Sequence, residues 1–260
     1  MPKDTPLVKQ YKEIKSQYPD TFLFFRLGDF YELFGDDAIK ASKLMEVTLT
    51  KRRDMPMCGV PYHSAMNYIK KLLNKSESVA ICEQVEEADQ AKGLVKREVV
   101  RVITPGTIIE DDLLAEDYNN FLTSVSSGKK GYGIVFVDIS TGDFMGCRVD
   151  NRAKLESELS RSPVKEIIIS DEEKDLEGFI KQKFTEVTVT KKNSWYFSVQ
   201  KAEENIKEYF NISTLKGWEL DKNPEVASAC GGLIEYLNDT QKDRRVQLKN
   251  FQLYTLEEKM

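Results

Sequence analysis

Histidine occurs once in this 260-residue sequence, at His63, and the four cysteines (Cys58, Cys82, Cys147 and Cys230) include no C-x-x-C pair. A Cys/His zinc site is therefore not expected, and the scattered thiols read as free, in a reducing compartment. No stretch approaches the run of about 18 apolar residues that a transmembrane helix needs. The start, Met1-Pro2-Lys3-Asp4-Thr5-Pro6, lacks the apolar core of a secretory signal, so the expected location is the cytoplasm. No G-x-x-x-x-G-K-[ST] run is present to cradle a nucleotide's phosphates. An excess of positive charge is missing too: 38 Lys and Arg stand against 43 Asp and Glu, a net charge of −5. Such a chain does not coat nucleic acid by bulk attraction.

What is present suits a folded two-domain protein: 40% hydrophobic and 31% charged residues, in a chain long enough for two cores. The charge is unevenly spread. From Lys40 to Arg101 there are 12 Lys and Arg against 8 Asp and Glu, whereas residues 113–260 carry 21 against 25. The first region can touch nucleic acid locally, although a solvated face of mixed charge has the same composition.

The first half predicts a helix opened by Thr5-Pro6, with Leu7, Tyr11, Ile14 and Tyr18 on one face and Pro19 ending it. Phe22-Leu23-Phe24-Phe25 reads as a strand running to Arg26-Leu27. A helix over Asp36–Met45, a short strand at Val47-Thr48-Leu49 and a charged turn at Lys51-Arg52-Arg53-Asp54 follow. Ser64 is placed to cap a helix running to Leu73, and Ser78–Cys82 and Glu98–Ile103 read as strands. Thr104-Pro105-Gly106-Thr107 interrupts this pattern. Beyond it come three strands joined by short turns (Phe121–Val125, Tyr132–Ile139, Phe144–Val149), then helix, strand, helix, strand and two helices. That succession is the one a ribonuclease-H-like fold uses. Arg244–Met260 alternates apolar residues without clear closure, as if a further unit were beginning.

The segment richest in chemistry is Gly28-Asp29-Phe30-Tyr31-Glu32-Leu33-Phe34. Phe30 has two readings. As an ordinary phenylalanine it belongs in a core. Placed directly after a Gly-Asp turn, with Tyr31, Leu33 and Phe34 able to fill the core instead, it is a ring free to wedge between base steps in a minor groove. Such a wedge senses how easily a step unstacks and need not read sequence. Glu32 also has two readings. It can be a helix-start glutamate favoured by the dipole, or a base-contacting group whose charge repels an intact backbone.

Together with Pro56-Met57-Cys58-Gly59-Val60-Pro61-Tyr62-His63 and Ala80-Ile81-Cys82-Glu83-Gln84, this heptapeptide resembles the amino-terminal part of the MutS family, the bacterial DNA mismatch-recognition proteins. The likeness runs in order through Thr48-Leu49-Thr50-Lys51-Arg52, Val99–Thr107 and Asp138–Phe144 to Asp239-Thr240-Gln241. It implies an α/β protein of two domains: a mixed-sheet mismatch-binding domain over residues 1–112, a linker at 113–118, and a ribonuclease-H-like connector domain over 119–245. Residues 246–260 would start a further domain. By the same resemblance, Phe30 stacks on a mispaired or unpaired base and Glu32 hydrogen-bonds it. Arg26, Arg52 and Arg97 match basic positions expected to hold phosphates. Gly28 and Asp29 lie in the same element, and Met57 and Gly59 match a loop that approaches the minor groove. Cys58 stands where other members carry alanine and is given no chemistry. Glu204 and Asn205 stand at a position resembling a docking point for MutL. The implied partners are mismatched duplex DNA, MutL and, in the full-length protein, a second copy, with a fragment of this length monomeric and no membrane involved. ATP and Mg are expected only in the full-length protein, this part being non-enzymatic and nucleoid-associated.

Two rivals come from other classes. A two-metal nuclease would need several carboxylates around ions about 4 Å apart, and Val137-Asp138-Ile139-Ser140-Thr141-Gly142-Asp143 offers two without an evident third. A protein-interaction module would bury Phe30 and show no preference between duplexes.

Overall fold

The computed structural model describes residues 5–86, 94–108, 120–242 and 245–256. It divides into two compact units, the first reaching Pro105 and including Gln241, the second running from Gly106 to Thr240 and including residues 245–256. The expected boundary at residue 112 and the linker at 113–118 lie outside the described residues. Gly106 already belongs to the second unit: its N–H donates to the buried Glu166 carboxylate at 3.1 Å.

The first unit is built on a six-stranded mixed sheet. Its elements in chain order are α1 (Pro6–Gln17), β1 (Phe22–Leu27), β2 (Phe30–Phe34), α2 (Gly35–Met45), β3 (Thr50–Arg52), β4 (Met55–Pro61), α3 (Ala65–Leu73), β5 (Val79–Gln84) and β6 (Arg97–Ile103). The strand order is β3-β4-β2-β1-β5-β6, antiparallel throughout except for the parallel pair β1 and β5. Thr5 caps α1 as expected, its hydroxyl accepting from the Val8 N–H at 3.4 Å.

Strand periodicity sorts the residues between two faces. Tyr11 and Ile14 of α1 join Leu23, Phe25, Phe34, Ala80 and Cys82 in one core, with Met55 and Met57 at its margin. The alternate residues Phe24, Leu33 and Val60 are buried on the other face, where α2 and α3 pack. Two local expectations are corrected here. Val47–Leu49 is not a strand, because Glu46 turns into the left-handed region (φ 60°) and the Val47 N–H returns to Ser42 O at 3.0 Å. That helix-closing turn delays the strand to Thr50. Ser64 precedes α3 but makes no side-chain cap; its hydroxyl donates to Pro61 O at 3.3 Å.

The second unit follows the expected succession closely: β7 (Phe121–Gly128), β8 (Gly131–Asp138), β9 (Asp143–Val149), α4 (Arg152–Arg161), β10 (Val164–Ser170), α5 (Lys174–Lys183), β11 (Thr188–Lys192), α6 (Val199–Phe210), α7 (Pro224–Thr240) and β12 (Gln252–Leu253). Its sheet runs β11-β10-β7-β8-β9-β12, with β7, β8 and β9 antiparallel and β10, β11 and β12 added in parallel. The segment expected to begin another domain instead completes this one. Val246 and Phe251 are buried in its core and β12 lies beside β9, because an open sheet edge accepts the alternating segment. Among the described residues no helix is long and apolar enough to cross a membrane.

All four cysteines are free and buried. Burial, with Asp37 nearby, pushes the Cys58 thiol up to about 11, and burial pushes Cys82 up to about 12. At neutral pH the Cys58 thiolate is thus far scarcer than on an exposed thiol. An aromatic disulfide reagent added to the folded chain is therefore expected to leave all four unmodified, and to titrate them only in denaturant. Rapid reaction at Cys58 in the native state would contradict the buried placement.

Candidate nucleic-acid interface

β1 and β2 form a hairpin whose last pair is Leu27 with Phe30, leaving a two-residue turn, Gly28-Asp29. Gly28 has φ +58°, a conformation costing an ordinary residue about 1 kcal/mol or more, and only glycine adopts it freely. Both turn carbonyls are held. The Arg26 Nε–H donates to Gly28 O at 2.6 Å, and the Tyr62 N–H donates to Asp29 O at 2.9 Å. Phe30 opens β2 directly after this braced turn and is 46% exposed, while Tyr31, Leu33 and Phe34 are buried. The ring stands outside both cores.

Arg26 is half-buried below the turn. Its guanidinium carbon lies 3.7 Å from the Tyr62 ring centroid and 5.6 Å from that of Tyr31, with Glu83 Oε1 4.0 Å from Nη1. Tyr31 donates its hydroxyl to the same Glu83 oxygen, and burial followed by this carboxylate raises the phenol well above its ordinary range. The Tyr62 ring is 45% exposed. It emerges just after Pro61, the residue paired with Phe30. Sequence reasoning gave Tyr62 no role; the signal available was its position directly after the strand-ending Pro61.

Arg97 is not at the surface. It is 5% exposed, and its Nε–H donates to Arg26 O at 2.7 Å. Its Nη1 donates to Val95 O at 2.8 Å and to Gln10 Oε1 at 3.2 Å, and the guanidinium carbon lies 5.0 Å from the Phe25 ring centroid. Desolvation lowers its basicity. The group expected to hold a phosphate instead ties α1, β1 and β6 together beneath the hairpin.

Glu32 lies within β2, so it is not the helix-start glutamate of the alternative reading. It shares the face of Phe30, two residues on, and its Oε2 accepts from Arg52 Nη1 at 2.8 Å. Arg52 belongs to β3, and β4 runs between the two strands. Glu32 pairs with Gly59 across β2 and β4, and a Cβ added to Gly59 would lie 3.5 Å from Glu32 Cγ. Met57 and Gly59, expected in a loop, are strand residues of β4, because the hairpin of β3 and β4 closes in two residues at Arg53-Asp54. Lys51, Arg52 and Arg53 are all exposed along this edge.

In the second unit, Glu204 and Asn205 are separated by α6 itself. Glu204 is exposed, with Lys201 Nζ 3.8 Å away, whereas Asn205 is buried and its Nδ2 donates to Glu235 Oε2 at 3.3 Å. The acids of the nuclease alternative are occupied structurally. Asp138 Oδ1 accepts from the Ser140 N–H and hydroxyl at 2.9 and 2.6 Å and from the Thr141 N–H at 3.3 Å, while Oδ2 accepts from the Asn120 N–H at 3.3 Å. Asp143 pairs with Lys249 at 2.7 Å, which holds its carboxyl below the usual range. Among the described residues no group of three His, Cys, Asp or Glu could hold a metal ion. His63 is exposed, its ring 5.8 Å from that of Tyr62.

Residues 5–112 match the family model described as MutS domain I, and residues 120–252 match that described as MutS domain II. Among similar proteins, the DNA mismatch repair protein MutS of Alkaliphilus oremlandii is 45% identical over 272 residues, covering 100% of this chain and 31% of that protein. The protein of the same name from Ehrlichia chaffeensis is 43% identical over 95% of this chain and 31% of its own length. That from Dehalococcoides mccartyi is 41% identical over 98% and 30%. The chain thus spans about 30% of the length of the curated relatives it matches.

Proposed function

Because the chain belongs to the MutS family, carrying its domains I and II, we propose that its first unit senses mispaired and unpaired bases in duplex DNA. The observation carrying this reading is the exposed Phe30 ring on a turn whose two carbonyls are both tied down. A rigid apolar ring entering the minor groove must unstack a base step, at a cost on the order of a few kcal/mol in sound duplex and less where pairing is defective. Binding then follows the deformability of the step. Glu32, on the same face, accepts a hydrogen bond from a displaced base. Arg52 and its neighbours Lys51 and Arg53 supply local positive charge that the chain as a whole lacks.

The second unit, in this reading, relays the bound state to the rest of a longer protein and offers the exposed side of α6, including Glu204, to MutL. ATP, Mg and dimerisation belong to parts of that longer protein outside domains I and II. The test is direct: binding of a duplex with one G·T pair is compared with its matched counterpart, for these residues alone and within a chain of the relatives' full length. Tighter binding of the mispaired duplex in the longer chain is expected. Equal affinity for both would refute the reading and favour an interaction module.

A further inference from the structure

We propose that Arg52 is an exchangeable partner of Glu32: it holds the carboxylate while no mispair is engaged and passes to a DNA phosphate when a displaced base takes its place. The inference rests on the mismatch-sensing reading above and adds a coupling between base contact and backbone contact.

Three observations carry it. First, the bond is real but shallow. Arg52 Nη1 lies 2.8 Å from Glu32 Oε2, yet the arginine side chain is 48% exposed, against 17% for the glutamate. Exposed ion pairs of this kind are weak and open readily. Second, the pair reaches across a strand. Glu32 on β2 and Arg52 on β3 meet over β4, Glu32 lying opposite Gly59 and Arg52 opposite Met55. A Cβ added at Gly59 would be in ordinary contact with Glu32 Cγ, 3.5 Å away, so this side of β4 stays open around the carboxylate. Third, Arg52 sits on the edge strand one residue from the Arg53-Asp54 turn, between exposed Lys51 and Arg53, where a backbone phosphate can reach it.

The two ligands of the pair therefore compete in opposite directions. On a matched duplex the bases stay stacked and Glu32 finds no partner among them. Releasing Arg52 would leave a bare carboxylate near phosphates, so the pair stays closed. On a mispaired duplex the displaced base satisfies Glu32, and Arg52 is free to neutralise one phosphate and release its counterion. Each phosphate neutralised steepens the salt dependence of the binding constant by about 0.9 in log–log slope.

The experiment measures that slope for G·T-containing and matched duplexes, using these residues in a chain of the relatives' full length. For the unaltered chain the mispaired duplex is expected to show the steeper slope. Arg52→Ala should shrink the excess by about 0.9, and Arg52→Lys, which keeps one cation, should retain it. Glu32→Ala should steepen the matched-duplex slope by about the same amount, because Arg52 is then free on both duplexes. An excess slope that survives Arg52→Ala intact, or a matched-duplex slope unmoved by Glu32→Ala, would overturn the exchange while leaving mismatch sensing standing. Loss of all preference in the unaltered chain would instead sink the underlying reading, and the exchange with it.

Discussion

Replacing Phe30 with alanine, in a chain of the relatives' full length, is expected to erase the preference for mispaired over matched duplex while leaving the fold intact. The size follows from the ring. Stacking of a base on an aromatic side chain is worth about 1–3 kcal/mol, so its loss from the mispaired complex corresponds to about 5- to 150-fold in relative affinity. Matched duplex loses little, because there the wedge yields no stacking gain that outweighs unstacking. The fold should be indifferent: Phe30 is 46% exposed and belongs to neither core, so less than about 1 kcal/mol of stability is at stake. Titration of both duplexes, with a thermal melt of the same variant, checks the two halves together. Preference retained in Phe30→Ala would show that the ring is not the probe. A large drop in melting temperature would show that it is packed after all.

Arg97→Ala is expected to act in the opposite way, through stability. The buried guanidinium donates to Arg26 O, Val95 O and Gln10 Oε1, and truncation leaves these acceptors facing a void. Hydrogen bonds from a charged donor are worth about 1.5–3 kcal/mol each, and orphaned buried acceptors add a penalty. A net loss of roughly 3 kcal/mol, or about 12–24 °C in the melting of a unit this size, is expected. The salt slope of DNA binding should not move, since no phosphate contact is removed. A stable variant with a shallower slope would return Arg97 to the role of phosphate ligand. Weakened binding alone does not distinguish the two, because Arg26 O is the acceptor and Arg26 braces the turn that carries Phe30.

Most of the elements were legible from local pattern. Thr5-Pro6, the Phe22–Leu27 run and the strand-helix succession after residue 120 stand where caps, period-two burial and short turns place them. So does the exposure of Phe30, because a Gly-Asp turn before a run of apolar residues leaves its first ring outside the core.

Other features depended on the assembled sheet. A basic residue looks the same in the sequence whether it meets solvent or a core. Burial of Arg97 was set by oxygens brought from as far as 87 positions away, and the partner of Glu32 came from 20 positions away across an intervening strand. The expected loop at Met57–Gly59 became a strand, and the terminal segment found an edge in the second sheet, because strand pairing is settled by which edges are free after folding. The sequence by itself determined most of the elements, the family and the ring to test, since these rest on neighbours a few residues apart. Which cations remain available to a ligand was decided only by the tertiary structure, because that depends on hydrogen-bond partners that sequence spacing does not reveal.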